Sequence, residues 1–314
     1  MIANTESKKM SDIDNKTFKN IQTLPGHKNS IWTLAKLFDG TLVSGSEDKT
    51  LKIWKKISKN YEEIQILQGH KKYVSCVIEM RNDLIISGSG DGKIKLWKKN
   101  DDYFFEFQTI DEHSSSILSL VRLSDKLFCS GSEDKNIKIW EEKSEGFFLV
   151  QSLEKHTNYV SSLAKISDEI FVSGSGDKTI RVWLKNQIYE EIQILKGHSG
   201  EIFSLLCISE NLIASGSADK TIKIWKFSNS IFTEIQTLFG HSGKICSLSK
   251  LSDSLIVSGS HDKLIKIWEN TGEIFEEIQT LKDHTNPVGV VIKLNDNFIA
   301  SGSFDGSIKI WNNS

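Results

Sequence analysis

The sequence predicts an all-β protein, a seven-bladed β-propeller built from four-stranded antiparallel blades. The main observation is a repeat: seven times a His is followed 27 residues later by a Trp, with Ser-Gly-Ser-x-Asp between them. Successive repeat tryptophans are 43 residues apart, except for one interval of 42. Such a period, with four short strands in each unit, is typical of propeller blades. The chain has only two prolines and no helical periodicity, which favours an all-β fold.

The repeated residues place every unit on the chain. The histidines are His27, His70, His113, His156, His198, His241 and His284. The tryptophans are Trp54, Trp97, Trp140, Trp183, Trp225, Trp268 and Trp311. The Ser-Gly-Ser-x-Asp segment spans residues 44–48 in the first unit and 301–305 in the last.

Each unit has the pattern of four short strands, as the first unit shows. Residues 31–36 alternate in polarity and lead to a turn at Asp39-Gly40. Residues 42–45 predict a second strand, and residues 51–54 a third after the turn at 47–49. A fourth strand carries an aromatic residue nine positions before the next His. These aromatic residues are Phe18, Tyr61, Phe104, Phe147, Tyr189, Phe232 and Phe275.

The strand order also predicts how the ring closes. Residues 18–24 (Phe-Lys-Asn-Ile-Gln-Thr-Leu) match residues 275–281 (Phe-Glu-Glu-Ile-Gln-Thr-Leu), the fourth strand of a unit. The repeats therefore start with a fourth strand and end, at Trp311, in a third strand. Seven complete blades result only if 18–24 joins the strands of residues 288–311, which leaves no unpaired inner edge.

The repeats cover residues 18–314, which we expect to form a single domain. Residues 1–17 are expected to be a disordered tail, because they are polar and lack the apolar core of a signal peptide. No apolar run approaches the ~20 residues that a membrane-spanning helix requires. The composition is that of a soluble globular protein.

The charged residues argue against three classes of partner. The formal net charge is -2, so no overall attraction to nucleic acid or to an anionic membrane is expected. Among 39 basic residues only Arg81, Arg122 and Arg181 are arginines. Few arginines means few bidentate groups for phosphate, which counts against phosphopeptide recognition.

Four cysteines indicate the cellular compartment. Cys76, Cys129, Cys207 and Cys246 lie at irregular spacing within apolar segments and form no Cys-x-x-Cys pair. We therefore expect buried free thiols in a reducing compartment. The cytoplasm is the expected location, and the nucleus stays open.

The repeated residues resemble those of the WD-repeat family of β-propellers, the G-protein beta-subunit-like repeats. Four units carry a Gly-His pair, and every unit ends in Lys-x-Trp, with Arg181 in place of Lys once. The resemblance covers residues 18–314. One departure is that no Trp is followed by Asp, although the family often loses that dipeptide. The resemblance implies that the His, the first Ser, the Asp and the Trp of each unit form a hydrogen-bonded chain.

Ser, His and Asp in one unit also raise the possibility of a hydrolase. A Trp can only donate, whereas Ser can accept and donate onward and His can relay to a carboxylate, so a structural chain such as Ser44, His27, Asp48 and Trp54 is chemically complete. Seven copies argue against catalysis, and no Gly-x-Ser-x-Gly motif occurs. The histidines also lack metal-ligand spacing, since each belongs to a different blade. We therefore predict no enzymatic activity, no metal and no cofactor.

A basic residue stands two positions before every repeat Trp. The set is Lys52, Lys95, Lys138, Arg181, Lys223, Lys266 and Lys309. A nucleic-acid-binding role would need base-stacking aromatic residues near a net-positive face, and the near-neutral total charge argues against it. Repetition of one strand position, with long stems lying across the blades, is the simpler interpretation.

Function is expected where the units differ, at three positions on the face formed by the His loops and Asp turns. The resemblance implies that this face and the channel mouth bind peptides. The third residues after His are Ser30, Tyr73, Ser116, Tyr159, Glu201, Lys244 and Pro287. The fifth are Trp32, Ser75, Leu118, Ser161, Phe203, Cys246 and Gly289. The residues before Asp are Glu47, Gly90, Glu133, Gly176, Ala218, His261 and Phe304.

These positions predict a partner-binding face that is aromatic at its centre and mildly acidic. Aromatic residues dominate binding hot spots, and a partner cation between aromatic rings gains about 0.5–2 kcal/mol. The predicted site residues are Trp32, Tyr73, Tyr159, Phe203, Phe304, Glu47, Glu133, Glu201, Lys244 and His261. The alternative interpretation is that Trp32 and Phe203 only fill the channel.

The sequence thus predicts a non-enzymatic scaffold for protein–protein interaction. The expected partners are other proteins, including a basic peptide segment, and not nucleic acid or membrane. We expect a monomer within a larger complex. The alternative function is a substrate-recognition subunit of a ubiquitin ligase or of another multiprotein assembly.

Overall fold

A computed structural model describes residues 17–272 and 274–313 of the chain. The expectation of a disordered tail concerns residues 1–17, which lie outside the described residues apart from residue 17. The strands, in chain order, are β1 (Phe18–Leu24), β2 (Ile31–Lys36), β3 (Leu42–Ser46), β4 (Leu51–Ile57), β5 (Asn60–Leu67), β6 (Val74–Arg81), β7 (Leu84–Ser89), β8 (Ile94–Asn100), β9 (Tyr103–Ile110), β10 (Ile117–Arg122), β11 (Leu127–Ser132), β12 (Ile137–Lys143), β13 (Gly146–Leu153), β14 (Val160–Lys165), β15 (Ile170–Ser175), β16 (Thr179–Lys185), β17 (Tyr189–Lys196), β18 (Ile202–Ser209), β19 (Leu212–Ser217), β20 (Ile222–Ser228), β21 (Ile231–Leu238), β22 (Ile245–Lys250), β23 (Leu255–Ser260), β24 (Leu264–Asn270), β25 (Phe275–Lys282), β26 (Val288–Asn295), β27 (Phe298–Ser303) and β28 (Ile308–Asn313).

The strands form seven four-stranded antiparallel sheets, each of which is one blade. Blade 1 is β2–β5, blade 2 is β6–β9, blade 3 is β10–β13, blade 4 is β14–β17, blade 5 is β18–β21 and blade 6 is β22–β25. Blade 7 has the strand order β1-β28-β27-β26. The predicted seven-bladed propeller is confirmed.

The ring closes through the first strand, as the sequence predicts. Strand β1 pairs antiparallel with β28, from Phe18 opposite Asn313 to Leu24 opposite Ile308. The two ends of the described chain thus share one sheet without a covalent link. Strand β1 is the outer edge of blade 7, and β26 is its inner strand.

Hydrophobic side chains are buried between neighbouring blades. One core cluster joins Leu24 and Ile308 of blade 7 to Ile31, Leu42 and Trp54 of blade 1. Equivalent clusters lie between the other blades, because the two faces of each sheet are both covered. The aromatic residue of each outer strand is buried in these layers, except that Tyr61 is half-buried.

A ring of glutamine side chains links each outer strand to the next. The Gln65 amide donates to the Phe104 carbonyl at 2.6 Å and accepts from the Phe104 N–H at 2.9 Å. The same two-bond bridge recurs at all seven junctions between blades. The bridging residues are Gln22, Gln65, Gln108, Gln151, Gln193, Gln236 and Gln279.

The cysteine prediction is only half right. All four thiols are free, but Cys207 and Cys246 are half-buried, whereas Cys76 and Cys129 are buried. Cys246 is only half-buried because it is the fifth residue after a repeat His, a position that faces the central channel and not the space between blades. Burial raises the pKa of the Cys246 thiol to about 11, so this thiol is protonated at neutral pH.

The propeller has two distinct faces. The His loops and the Asp turns lie at one end of the strands. We call this end the tetrad face, after the four polar residues (His, Ser, Asp and Trp) that every repeat carries. Each first strand runs away from its His loop, so the turn that follows it lies at the opposite end. We call that end the opposite face; in blade 1 it carries the turn between β2 and β3, at residues 37–41, and the turn between β4 and β5.

Candidate functional site

The four repeated polar residues form the hydrogen-bonded chain that the resemblance implies. In blade 1 the Trp54 Nε1–H donates to Ser44 Oγ at 2.8 Å, and Ser44 Oγ lies 2.7 Å from His27 Nε2. His27 Nδ1 lies 2.8 Å from the Asp48 carboxylate. Because Ser44 accepts from the Trp, its own hydroxyl proton is left for His27 Nε2, and Nδ1–H donates to the Asp. All seven blades repeat this tetrad.

The aspartates of the tetrads are held in their charged form. Burial alone would raise the pKa of Asp48, but hydrogen bonds from His27 and Thr50 outweigh it and keep this pKa well below its ordinary value. The pKa of every other turn aspartate is lowered by the same kinds of bond. Each carboxylate also accepts from the backbone N–H after its His, as Lys28 shows at 3.1 Å. The tetrads thus pin the His loop to the Asp turn.

The serines of the tetrads have no access to a substrate. Ser44 is fully buried, and so is the equivalent Ser of each other blade. Its hydroxyl is already engaged by a Trp donor and a His ring. A nucleophile must reach a reacting atom, and a buried hydroxyl with both partners inside the blade does not.

The basic residues before the tryptophans are also engaged within the blades. Lys95 Nζ lies 2.6 Å from Glu106 Oε1, and Lys266 lies 2.7 Å from the Glu277 carboxylate. Both lysines are buried, and they cannot present their charge to nucleic acid. The interpretation of the basic ring as a structural feature is therefore supported, with buried ion pairs in place of stems that lie along the surface.

These ion pairs explain the Gly of the Gly-His pairs. A Cβ on Gly69 would lie 2.8 Å from Glu106 Oε2 and 3.3 Å from the Trp97 ring. Gly197 and Gly240 stand in the same relation to Glu234 and Glu277. The glycine makes room for the ion pair.

A β-bulge turns one residue of each inner strand toward the central channel. In β2 the pairing shifts between Ile31 and Thr33, which leaves Trp32 unpaired. The bulge occurs at the fifth residue after His in all seven blades. Bulges change the direction of a side chain, so this position faces the channel whichever residue occupies it.

The variable positions surround a cavity of about 650 Å³ at the channel mouth. Seven of the ten predicted site residues line it: Trp32, Tyr73, Glu133, Tyr159, Glu201, Phe203 and Lys244. Trp32 is 38% exposed, so the cavity stays open beside it. The volume lies within the range of pockets that bind small molecules or peptide side chains.

One wall of the channel mouth is an aromatic cluster, formed by Trp32, Tyr73, Phe304 and His261. The Trp32 ring centroid lies 5.7 Å from that of Tyr73 and 4.7 Å from that of Phe304. Phe304 meets the His261 ring edge-on at 5.6 Å. Burial, together with the charge of Lys244, lowers the pKa of His261, which keeps this ring neutral at pH 7.

Glycines make room for this wall. A Cβ on Gly90 would overlap the Tyr73 ring, and a Cβ on Gly289 would lie 2.8 Å from the Ile31 carbonyl oxygen and 2.9 Å from Phe304 Cε1. Blade 4 repeats the blade 2 arrangement, with Gly176 beneath Tyr159. Gly90 and Gly176 therefore make room for the tyrosine rings that they face.

In the other wall, formed by Phe203, Lys244, Tyr159 and Glu201, charged groups of the chain itself lie beside the aromatic side chains. Lys244 Nζ lies 4.7 Å from the centroid of the Phe203 ring, so a cation of the chain itself covers that ring. Burial, together with the neighbouring Glu201 carboxylate, raises the pKa of Tyr159. Glu133 also lines the cavity, and its carboxylate accepts from the Ser116 hydroxyl at 2.7 Å.

The structure separates one predicted residue from the others. Glu47 is exposed at the tetrad face and does not line the cavity, although its backbone N–H donates to Ser30 at 2.9 Å. Phe304 and His261 support the aromatic wall from outside the lining. The sequence analysis does not predict the bulge, nor that Gly90 and Gly176 face the rings of Tyr73 and Tyr159. The sequence does carry a signal for the second feature, because Gly and Tyr occur together in units 2 and 4.

No group of three or more His, Cys, Asp or Glu side chains among the described residues could hold a metal ion. Residues 17–272 and 274–313 also contain no helix that is long and apolar enough to cross a membrane.

Comparison with known proteins agrees with this geometry. The family model "WD domain, G-beta repeat" matches seven segments, residues 18–55, 61–98, 105–141, 147–183, 189–226, 232–269 and 275–312. A search of curated proteins found no match.

Solved structures share the fold at low sequence identity. The WD40 β-propeller domain of Doa1 has a TM-score of 0.83 and 23% identity, over 95% of this chain and 97% of that one. The structure of U3-55K has a TM-score of 0.81 and 20% identity, over 93% of this chain and 98% of that one. The seven matched repeats and the seven blades together show that this chain belongs to the WD40 family of β-propellers.

Proposed function

We propose that this protein is a non-enzymatic scaffold that binds peptide segments or partner domains at the channel mouth of the tetrad face. Proteins of the WD40 family generally act as protein-interaction scaffolds. The observation that carries the proposal is the open cavity at this mouth, where the repeats cease to resemble one another. The repeated residues of each blade, in contrast, make the contacts that build the ring.

The geometry favours a partner with a basic side chain on one side of the channel. Lys244 already covers Phe203, so a second cation is not favoured at that wall. No lysine or arginine of the described residues lies over the ring of Trp32 or Tyr73, and Glu133 lines the same cavity. A lysine or arginine of the partner would contact the aromatic rings and the carboxylate together, and the cation–π part contributes about 0.5–2 kcal/mol.

Affinity capture from native lysate tests this assignment. The wild-type protein is compared with a triple variant, Trp32→Ala, Phe203→Ala and Tyr159→Ala. Tyr103→Ala is the matched control, because Tyr103 is an exposed aromatic residue on β9, away from the channel. We expect partners that the control retains and the triple variant loses. If every captured partner binds both variants equally, the site assignment is wrong.

The same experiment separates a general scaffold from the alternative role. Copurification of ubiquitin ligase subunits with the wild type would favour a substrate-recognition subunit. Copurification of another stable complex would favour an assembly factor, and we expect the protein to be a monomer within it. Neither role changes the proposed binding face.

The proposed lack of catalysis has its own support and test. The tetrad serines are buried and repeated seven times, and the ring lysines are engaged with carboxylates or backbone. A fluorophosphonate probe should therefore leave the protein unlabelled. Specific labelling of one tetrad Ser, for example Ser44, would contradict the proposal.

A further inference from the structure

A second groove lies on the opposite face, where blades 7, 1 and 2 meet. Its volume is about 500 Å³, and it is distinct from the channel mouth. Four lysines line it, Lys36, Lys55, Lys56 and Lys99. Two carboxylates, Asp39 and Asp102, share the lining. The groove thus carries more cations than anions.

Three of the four lysines are weakly paired or unpaired. Lys55 Nζ lies 3.8 Å from Asp102, too far for a hydrogen bond, and both side chains are largely exposed. Lys36 and Lys56 form no ion pair with the carboxylates of the described residues. Only Lys99 has a close partner, at 3.1 Å from Asp39. Exposed pairs of this kind contribute little, so the positive charge of the groove remains available.

The repeat provides an internal comparison for this charge. The four lysines occupy fixed positions: the ninth residue after His, the two residues after Trp, and the second residue after the Trp of the next blade. All four are lysine between blades 1 and 2, whereas no other pair of adjacent blades has more than two basic residues there. In blades 2 and 3 two glutamates, Glu79 and Glu142, accompany the lysines. Repetition of the fold therefore does not explain the positive charge of this groove.

The kind of cation indicates the kind of ligand. The groove has no arginine, so it lacks the planar forks that bind phosphate in a bidentate manner. Flexible lysine ammonium groups act as point charges, which suit carboxylates distributed along an extended chain. Charge complementarity of this type directs a partner to a surface and fixes its orientation. We propose that this groove binds an acidic segment of a partner protein, rich in Asp and Glu.

The proposal is independent of the channel-mouth function, and two matched variants test it. The first is Lys55→Gln with Lys56→Gln. The control is Lys185→Gln with Lys226→Gln, which removes the same charge from equivalent positions of blades 4 and 5. Lys55 and Lys56 are exposed, so we expect both double variants to fold, and thermal unfolding verifies this.

The probe is a fluorescent dodecapeptide of alternating Glu and Ser, with a Gln and Ser peptide for comparison, followed by anisotropy at low salt. We expect the groove variant to weaken binding of the acidic peptide about tenfold and the control variant less than twofold. Trp32→Ala should leave this binding unchanged, which separates it from the channel mouth. Equal losses in the two double variants, or no binding by the wild type, would overturn the proposal.

Two competitors distinguish other anions from the acidic peptide. Sodium phosphate is compared with sodium chloride of equal ionic strength, and we expect the two to displace the peptide equally. Selective displacement by phosphate would overturn the proposal in favour of a phosphate site. Equal or tighter binding of a single-stranded oligothymidine would overturn it in favour of a general polyanion surface.

Discussion

The side chain of Gln279 in blade 6 holds the backbone of Phe18, the first residue of the closing strand, through two hydrogen bonds of 3.1 Å. Its Oε1 accepts from the Phe18 N–H, and its Nε2 donates to the Phe18 carbonyl. Strand β1 has no covalent link to the blade that it completes. This glutamine therefore connects the closing strand to the neighbouring blade.

Gln279→Ala is expected to lower the free energy of unfolding by about 1–3 kcal/mol, since two hydrogen bonds to backbone groups are lost. It should also increase hydrogen exchange of the β1 amides selectively. Gln108→Ala is the control, because it removes the same bridge, to Phe147, elsewhere in the ring. Unchanged exchange in β1 of the Gln279 variant would show that pairing with β28 alone holds the strand.

The sequence predicts the ring but not these bridges, for a physical reason. A glutamine stands five residues before every repeat His, so the pattern itself is visible, as in Gln65 and Gln279. Its partner is a backbone group in another blade, and that contact depends on how two outer strands lie side by side. Strand order and closure, in contrast, follow from counting strands, and both predictions are confirmed.

Removal of a tetrad serine tests the structural interpretation of the tetrads. In Ser130→Ala the Trp140 Nε1–H and the His113 ring lose their shared partner in a buried site. We expect a loss of about 1–3 kcal/mol in the free energy of unfolding, measured by chemical denaturation. Ser144→Ala, in an exposed turn, should change it by less than about 0.5 kcal/mol. Equal effects of the two variants would contradict a structural role.

Acid should destabilise the protein in a defined window. The pKa of every turn aspartate, Asp48 for example, is lowered from 3.8 because hydrogen bonds to the carboxylate outweigh burial. The unfolded chain thus binds protons at a higher pH than the folded chain, so stability present above about pH 4 is lost as the pH falls further. Burial of His198 lowers its pKa from 6.5 and adds a loss of the same sign below that pH.

Glu79 acts in the opposite direction and offers a control. Burial raises its pKa from 4.5 to about 7. Ionisation of Glu79 therefore lowers the stability of the folded protein as the pH rises through that range. Denaturation at several pH values should show a steep loss of unfolding free energy below pH 4 in both wild type and Glu79→Gln. Between pH 5 and 7.5 the variant should gain stability relative to the wild type. A flat profile below pH 4 would contradict the role of the aspartates.

The aromatic wall depends on a missing side chain at Gly90. A methyl group there would overlap the Tyr73 ring, so Gly90→Ala should displace Tyr73 from Trp32 and cost about 1–3 kcal/mol through overpacking. Near-ultraviolet circular dichroism would report the displaced rings. In a Tyr73→Ser background the same substitution should cost little, because the methyl group then has room. An equal cost in both backgrounds would show that the backbone, not the ring, requires glycine.

Only part of the candidate site can be derived from the sequence. The repeat locates the positions that differ, and seven of the ten predicted residues line the cavity. The sequence does not show that Lys244 covers Phe203, because the two residues belong to different blades and meet only in the folded ring. It likewise does not show that Glu133 lines the cavity while Glu47, at the same repeat position, does not.

In blade 7 the carboxylate that pairs with the repeated lysine comes from a different position than in blade 6, and a double-mutant cycle can measure the effect of this difference. In blade 6 Lys266 pairs with Glu277 of the outer strand, beside a glycine. In blade 7 the outer strand has Asn20 at the position of that glutamate, and the glycine is replaced by Asp283. Asp283 lies 2.6 Å from both Lys309 Nζ and Asn20 Nδ2. The carboxylate has thus moved from the strand to the loop.

Asp283→Gly should leave the largely buried Lys309 without a carboxylate and cost about 1–3 kcal/mol. Asn20→Glu alone should also destabilise, since two carboxylates would then share one lysine. Together the two substitutions rebuild the arrangement of blade 6, so the double variant should be more stable than the sum of the single effects predicts, by about 0.5–3 kcal/mol. Additive effects in chemical denaturation would show that the two positions act independently and that the exchange of carboxylate and glycine is not a compensation.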